Sequence, residues 1–202
     1  MKIAVMGEED QYRELIQCSS EIEWIRFSSP DEWANRNDIA ALFILNDEIP
    51  HNKFNHTNKP VFINSVSKTL QQAGYPKNVI RINGWPGFIT KDLWEVSGIL
   101  NEDAKNILLS CNKKFIPTAD EPGFISARIL AMIINEAYLT EADKVSSRKE
   151  IDTAMKLGTN YPWGPFEWAE KIGIKNIYEL LTALSVQDTR YTPCASLALQ
   201  SK

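Results

Sequence analysis

The sequence predicts an α/β domain built on an open, mostly parallel sheet, followed by an all-helical domain. Two observations lead to this fold class. In the first half, short apolar segments alternate with helical ones, which is typical of parallel strands joined by right-handed crossovers. Near residue 120 the character changes, and every later segment has a helical pattern. We therefore expect an α/β domain at residues 1–119 and a helical domain at residues 120–202.

The first half contains the expected strands in order. The segment 39–45 is continuously apolar, as a central parallel strand buried on both faces would be, whereas 21–27 alternates apolar and polar residues. The predicted strands are 3–6, 21–27, 39–45, 60–64, 76–82 and 114–118. Helical segments are expected at 9–17, 30–35, 65–73 and 101–112, with a polar loop at 47–58.

The second half reads as a series of helices. Residues 124–140 are apolar without strand alternation, so we expect a long, largely buried helix. Ser147 and Glu150 form a capping-box pattern before a helix at 151–157, which Gly158 is expected to end. Further helices are predicted at 164–171, 176–185 and 196–200.

Composition narrows the possible partners. The chain has 202 residues and a net charge of −4, without a long basic run, so nucleic acid and anionic membranes are not expected partners. No apolar stretch is long enough to span a bilayer, and Met1 leads directly into a strand rather than a signal sequence. Three cysteines lack C-x-x-C spacing, which favours free thiols in the cytoplasm.

The first strand runs into a glycine turn with unusual chemistry. Gly7 stands where a dinucleotide-binding turn G-x-G-x-x-G begins, but Glu9 and Tyr12 occupy its second and third glycine positions. Glu8, Glu9 and Asp10 suit the positive end of a helix dipole, yet they would repel a diphosphate. The turn therefore indicates a Rossmann-like fold and argues against the usual cofactor.

The helical half contains DEPGFISAR at 120–128, EIDTAMKLG at 150–158, NYPWGPFEW at 160–168 and RYTP at 190–193. In these motifs it resembles the C-terminal domain of the 3-hydroxyacyl-CoA dehydrogenases. Residues 120–128 (DEPGFISAR) are similar to the family's D-x-P-G-F-I-x-N-R, and residues 150–158 (EIDTAMKLG) to its (D/E)-I-D-x-A-M-x-x-G helix. Residues 160–168 (NYPWGPFEW) and 190–193 (RYTP) also match, in the family's order and spacing. The resemblance implies a helical dimerisation and substrate-side domain, and hence a homodimer.

The first half resembles the family less closely. Residues 76–98 can be aligned without a gap to P-x-x-V-I-G-x-H-F-F-N-P … L-x-E-V-x-x-G, and residues 64–67 (NSVS) match N-T-S-S. Only a dozen residues separate 27 from 39, where the family has a long helical excursion. The implied fold is a reduced Rossmann-like domain followed by a 3-hydroxyacyl-CoA dehydrogenase C-terminal-type domain.

The resemblance assigns positions to the family's oxidation of a 3-hydroxyacyl thioester by NAD. Glu95 stands at the orienting glutamate and Ser67 at the substrate serine, but Asn83 replaces the histidine base and Ala127 replaces a substrate asparagine. Because an amide cannot accept a proton at physiological pH, Asn83 cannot be a general base. Loss of such a base costs roughly 10²–10⁴-fold in rate.

The cofactor positions are similarly altered. Gly7 and Asn64 stand at cofactor-binding positions, but Phe27, Ser28 and Ser29 stand at the end of the second strand, where the family has a ribose-binding acid. No bound cofactor is therefore expected, with NAD as the cofactor if the protein is active. His51 and His56 are the only histidines, and neither is expected to replace the base or to bind a metal.

Three hypotheses follow. The first is a catalytically degenerate relative, a pseudoenzyme that retains the fold and a possible acyl-CoA site. The second is an active NAD-dependent 3-hydroxyacyl-CoA (3-hydroxybutyryl-CoA) oxidoreductase of fatty-acid metabolism. The third is a protein-interaction module that assembles with itself or with a true dehydrogenase.

Overall fold

A computed structural model describes residues 1–29, 32–33, 36–46, 54 and 57–201. The chain divides into two compact units, Met1–Phe124 and Ile125–Lys202. The segment 120–124 therefore packs with the sheet. Among the described residues, no helix is both long and apolar enough to cross a membrane.

Among its described residues, the first unit contains a seven-stranded sheet in the order β2-β1-β3-β4-β5-β6-β7. Strands β1 to β5 are parallel, whereas β6 runs antiparallel to β5 and parallel to β7. The strands are Lys2–Met6, Glu23–Arg26, Ile39–Ile44, Val61–Asn64, Val79–Ile82, Leu93–Ser97 and Lys114–Pro117. The order reverses between β1 and β3, which is the switch point where ligands bind in open α/β sheets.

Apolar side chains cover both faces of this sheet. In β1, Ile3 and Val5 belong to one core cluster, whereas Ala4 and Met6 belong to the other. The first cluster also receives side chains from α1 (Glu9–Ile16) and α3 (Glu102–Ser110). A short helix α2 (Leu70–Ala73) follows β4. Burial on both faces explains why the central strands are continuously apolar.

Sequence patterns identified all the strands except β6. In that strand Trp94 and Val96 point into the core and Leu93 is exposed, an alternation that is only five residues long. Its antiparallel pairing with β5 depends on residues more than ten positions away, which local pattern does not reveal. The predicted helical turn at 30–35 and the polar loop at 47–58 lie largely outside the described residues.

The second unit consists of helices. They are α4 (Ser126–Ala142), α5 (Arg148–Thr159), α6 (Pro165–Ile172), α7 (Ile174–Ser185) and α8 (Ala195–Gln200), with a 3-10 turn at Thr189–Tyr191. The capping box before α5 is confirmed, because the Ser147 N–H donates to the Glu150 carboxylate at 3.1 Å. The expected end of this helix at Gly158 is wrong. The helix continues to Thr159, and Asn160 adopts the left-handed conformation that ends it.

Buried polar residues hold these helices together. The Asp152 carboxylate accepts the Phe166 N–H at 2.9 Å at the start of α6, and burial raises the pKa of this carboxyl. A Cβ at Gly164 would overlap the Asp152 side chain, so close packing requires glycine there. The Asn135 amide donates to the Thr192 carbonyl and accepts from the Cys194 N–H, which ties α4 to the C-terminal segment.

Candidate active site at the carboxyl ends of the strands

Two residues at the family's catalytic positions follow neighbouring strands, and a third lies within β6. Ser67 lies three residues after β4, and Asn83 directly follows β5. Since β4 and β5 are parallel, both residues lie at the same edge of the sheet. Ile82 pairs with Val96 in the antiparallel β5–β6 ladder, so the next pair in that register is Asn83 and Glu95. The topology thus brings the histidine and glutamate positions side by side.

Asn83 provides an amide at the position of the proton acceptor. Its side chain is 7% exposed, and its Oδ1 accepts the Trp85 N–H at 3.3 Å. Trp85 itself is buried. Glu95 is half-buried in β6. The pair consists of a carboxylate and a neutral amide, which offers no group with the basicity of an imidazole.

Asn64 connects the carboxyl ends of three strands. Its Nδ2 donates to the Leu45 carbonyl at 3.2 Å, and its Oδ1 accepts the Gly84 N–H at 3.0 Å. A Cβ at Gly84 would lie 2.8 Å from the Asn64 Cβ, so the approach requires glycine. The Asn64 side chain therefore links the ends of neighbouring strands through hydrogen bonds.

Gln11 makes a second connection across the switch point. Its Nε2 donates to the Leu45 carbonyl at 3.0 Å and to the Gly84 carbonyl at 3.1 Å, while its Oε1 accepts the Glu8 N–H at 3.2 Å. A Cβ at Gly7 would lie 2.9 Å from the Leu45 Cβ. Packing against Leu45 is thus sufficient to explain glycine at this position.

Charged side chains lie beside the turn at Gly7 and pair with one another. The Glu9 carboxylate pairs with Arg26 and, at 2.8 Å, with Arg13. These hydrogen bonds, the one from Arg26 first, lower the pKa of Glu9. Arg26 ends β2, donates to the Gly7 carbonyl at 3.1 Å and lies over the Tyr12 ring. An arginine bound to the turn therefore lies directly before Phe27, Ser28 and Ser29, where the resemblance places the family's ribose-binding acid.

Arg81 was not predicted from the sequence. This side chain is 0% exposed in β5 and forms an ion pair of 2.7 Å with Asp120. Its guanidinium lies over the Phe124 ring, 4.7 Å from the centroid. Phe124 has a φ of +48°, a conformation that costs a non-glycine residue on the order of 1–3 kcal/mol. The sequence did contain a signal for this residue, because a charged side chain stands in an otherwise apolar strand, where the family motif has glycine.

The other predicted positions are less informative. Ala127 is buried in α4 and contributes only a methyl group. His51 and His56 lie outside the described residues. Within the part of the chain that is described, no cluster of His, Cys, Asp and Glu side chains could hold a metal ion. A cavity of about 600 Å³ lies at the opposite, amino ends of the strands, beside Met1 and Pro60.

The architecture defines a class of protein in which a Rossmann-like sheet domain is followed by a helical domain. The family model described as "3-hydroxyacyl-CoA dehydrogenase, C-terminal domain" matches residues 123–199. This match assigns residues 123–199, the helical part of the chain, to that C-terminal domain family.

Curated relatives match over part of their length. A 3-hydroxyadipyl-CoA dehydrogenase of Escherichia coli is 44% identical over 87 residues, which are 42% of this chain and 18% of the relative. A 3-hydroxybutyryl-CoA dehydrogenase of Clostridioides difficile is 42% identical over 91 residues, 44% of this chain and 32% of the relative. In both cases, the match therefore covers less than a third of the relative.

Solved structures extend the similarity of fold to nearly the whole chain. FadB2 of M. tuberculosis matches with a TM-score of 0.76 at 11% identity, covering 98% of this chain and 92% of that one. An (S)-3-hydroxybutyryl-CoA dehydrogenase of Ralstonia eutropha matches with a TM-score of 0.71 at 17% identity and the same coverage. At these identities the likeness concerns the fold, including the sheet domain that the family model does not cover.

Proposed function

We propose that this protein is a 3-hydroxyacyl-CoA dehydrogenase homologue that binds an acyl-CoA ester without oxidising it. The amide at Asn83 is the observation on which the proposal mainly depends. Its carbonyl oxygen already accepts the Trp85 N–H, and an amide does not take up the proton of an alcohol. Glu95 and Ser67 remain at their family positions, which supports a retained acyl-binding edge.

The glycine turn supports the absence of NAD. A dinucleotide pyrophosphate needs backbone N–H groups and space at the start of the following helix. Here the Glu8 N–H donates to Gln11, and the first turn of α1 carries Glu9 and Asp10. Arg26 is held by Glu9 and the Gly7 carbonyl, close to where an adenosine ribose would lie. The residues of this turn therefore do not fit the cofactor.

Assembly through the helical domain is a second candidate function. Ile125, the N-cap residue of α4, and Ile129, one turn further along the helix, are 51% and 55% exposed. Isoleucine side chains exposed side by side on one helix favour burial against another protein surface. A second copy of the chain is the partner that the family resemblance implies.

Separate titrations with NADH and acetoacetyl-CoA test the proposal. Calorimetry should detect acetoacetyl-CoA binding and no NADH binding. A ligand at a hundredfold excess over its Kd should raise the free energy of unfolding by about 2.7 kcal/mol. NADH binding followed by turnover would establish an active dehydrogenase instead. Binding of neither ligand by a stable dimer would favour the assembly function.

A pair of serine variants locates the acyl site. Ser67→Ala should weaken acetoacetyl-CoA binding roughly tenfold, because one hydrogen bond to the ligand is lost. Ser110→Ala is the matched control, since the Ser110 hydroxyl donates to the Asn106 carbonyl within α3 and is exposed. Equal affinities of the two variants would place the ligand elsewhere.

A further inference from the structure

Arg81 is a buried cation at a position where charge is expensive. Burial lowers the pKa of its guanidinium, whereas the hydrogen bond and charge of Asp120 act in the opposite direction. The family motif quoted for this strand has glycine at the same position. The arginine is therefore a feature of this chain, and its contacts indicate what it does.

The guanidinium binds main-chain carbonyls on two segments. Its Nε donates to the Ser65 carbonyl at 2.8 Å, and Nη2 donates to the Val66 carbonyl at 3.3 Å. Both terminal nitrogens donate to the Glu121 carbonyl at 3.2 Å. Arg81 thus joins the start of the loop after β4 to the segment that begins at Asp120.

Asp120 holds the other end of the same loop. Its Oδ1 accepts the Leu70 N–H at 3.0 Å, and its Oδ2 accepts the Gln71 N–H at 3.2 Å. The Arg81 Nη1 donates to this carboxylate at 2.7 Å. Residues 65–71 are therefore fixed at both ends by one ion pair, with Ser67 between the two points.

We propose that Arg81 is a positioning residue that fixes residues 65–71 so that Ser67 contacts the thioester end of an acyl-CoA ligand. The inference rests on the proposed acyl-CoA function for the choice of ligand. Arginine suits this role because its planar fork can donate in several directions at once, whereas a lysine ammonium acts as a compact point charge.

Amide hydrogen exchange tests the positioning without any ligand. Arg81→Met should speed exchange of the Leu70 and Gln71 amides at least about tenfold relative to those of α3, because the loop opens locally before the unit unfolds. Lys113→Met is the matched control. Lys113 is also buried, at 6% exposure, but it donates to the Lys91 carbonyl in another part of the sheet unit. It should leave the relative exchange of the loop unchanged.

Acetoacetyl-CoA titration then tests the effect on the ligand. If the loop is correctly placed in a tenth of the Arg81→Met molecules, the apparent Kd should rise about tenfold. The Kd of Arg81→Lys should lie between those of the parent and of Arg81→Met, and Lys113→Met should bind acetoacetyl-CoA as the parent does. Asp120→Asn keeps the arginine and provides a milder variant if Arg81→Met does not fold.

Two results would overturn the inference. Exchange that rises equally throughout the sheet unit would make Arg81 a general stabilising residue. Faster exchange in residues 65–71 with an unchanged Kd would show that this loop does not position Ser67 for the ligand. If the parent protein binds no acetoacetyl-CoA, the proposed function fails, and the ligand-contact part of this inference fails with it. The exchange comparison still decides whether Arg81 fixes the loop.

Discussion

At the residue scale, single substitutions distinguish this chain from the motif that it otherwise follows. Asn83 stands for a histidine, Ala127 for an asparagine and Arg81 for a glycine. Relative to the family motif, the first substitution replaces a base with an amide, and the second replaces an amide with a methyl group. The third adds a buried cation with an ion pair to Asp120 and several main-chain partners. At this edge of the sheet, the proposed loss of a base at Asn83 therefore coincides with the internal contacts of Arg81.

Restoring the histidine alone should not restore activity. Asn83→His should give no NAD-dependent oxidation of 3-hydroxybutyryl-CoA above the level of the parent, because the acidic turn at Gly7 still disfavours the pyrophosphate. Formation of NADH, followed by absorbance, measures this directly. Measurable turnover in that variant would mean that the turn does accept the cofactor. Asn83→Ala is the control for damage to folding.

Asp120 should make stability depend on pH. Burial alone would raise the pKa of this carboxyl, but hydrogen bonds from the Leu70 N–H, Arg81 and the Gln71 N–H outweigh it and lower the pKa. The folded state therefore takes up its proton at a lower pH than the unfolded chain, whose value is about 3.9. The stabilisation is present above the unfolded pKa and is lost as pH falls through the folded pKa.

Urea unfolding of the parent and of Asp120→Asn measures this dependence. The difference in unfolding free energy should be largest near pH 6 and should shrink between about pH 4 and the folded pKa. A difference that stays constant through this range would contradict the assignment. Glu32→Gln is a suitable control, because this carboxylate of the sheet unit is exposed and makes none of the hydrogen bonds of Asp120.

At the element scale, helix ends explain much of the helical domain. The capping box of Ser147 and Glu150 begins α5, and the Asp152 carboxylate caps α6 from the neighbouring helix. The packing of α5 against α6 also places Gly164 against the Asp152 side chain. Gly158, within α5, and Gly164, before α6, therefore have different structural roles, and alanine substitution at each position can distinguish them.

Gly164→Ala should destabilise the helical unit by about 1–3 kcal/mol, because the new methyl group overlaps the Asp152 side chain. Gly158→Ala is the matched control. It lies within α5 with no atom within 4 Å of its added Cβ, so it should stabilise the helix by roughly 0.5–1 kcal/mol. Thermal unfolding monitored by circular dichroism measures both changes, and shifts in the same direction would contradict this difference.

At the scale of the whole molecule, the two units differ in their similarity to known proteins. The helical unit contains the family-model match. In the sheet unit the likeness extends through solved structures of low identity. The proposed lost chemistry lies mainly in the sheet unit, and the proposed assembly surface lies in the helical unit. The protein can therefore be tested for ligand binding and for self-association separately.

Self-association is expected to depend on α4. Sedimentation equilibrium should give a dimer for the parent, and Ile129→Glu should shift it to a monomer, since a charge would be buried in the contact. Val186→Glu is the control, because Val186 is 84% exposed at the end of α7 and lies on a different helix. A monomeric parent would remove the assembly proposal, whereas a dimer that Ile129→Glu leaves intact would require another surface.

Local patterns in the sequence were sufficient for much of this protein. Apolar segments and turn residues predicted nearly all the strands and helices, because such patterns reflect burial within a few residues. Spaced glycines and prolines identified the helical domain, and Asn83 alone indicated a missing base. The end of α5 was not predicted, because Gly158 and Asn160 can both adopt the left-handed conformation that ends a helix. In the structure Asn160 adopts it, directly after Thr159.

Only the tertiary structure determined how the edge of the sheet is connected. Gln11 and Gly84 are 73 residues apart, and Arg81 and Asp120 are 39 apart. Arg26 pairs with Glu9 through the parallel alignment of β1 and β2. These contacts depend on strand order and register, which bring distant residues together and leave no local pattern. The prediction of lost chemistry therefore rests on the sequence, and the fold determined which side chains hold that edge together.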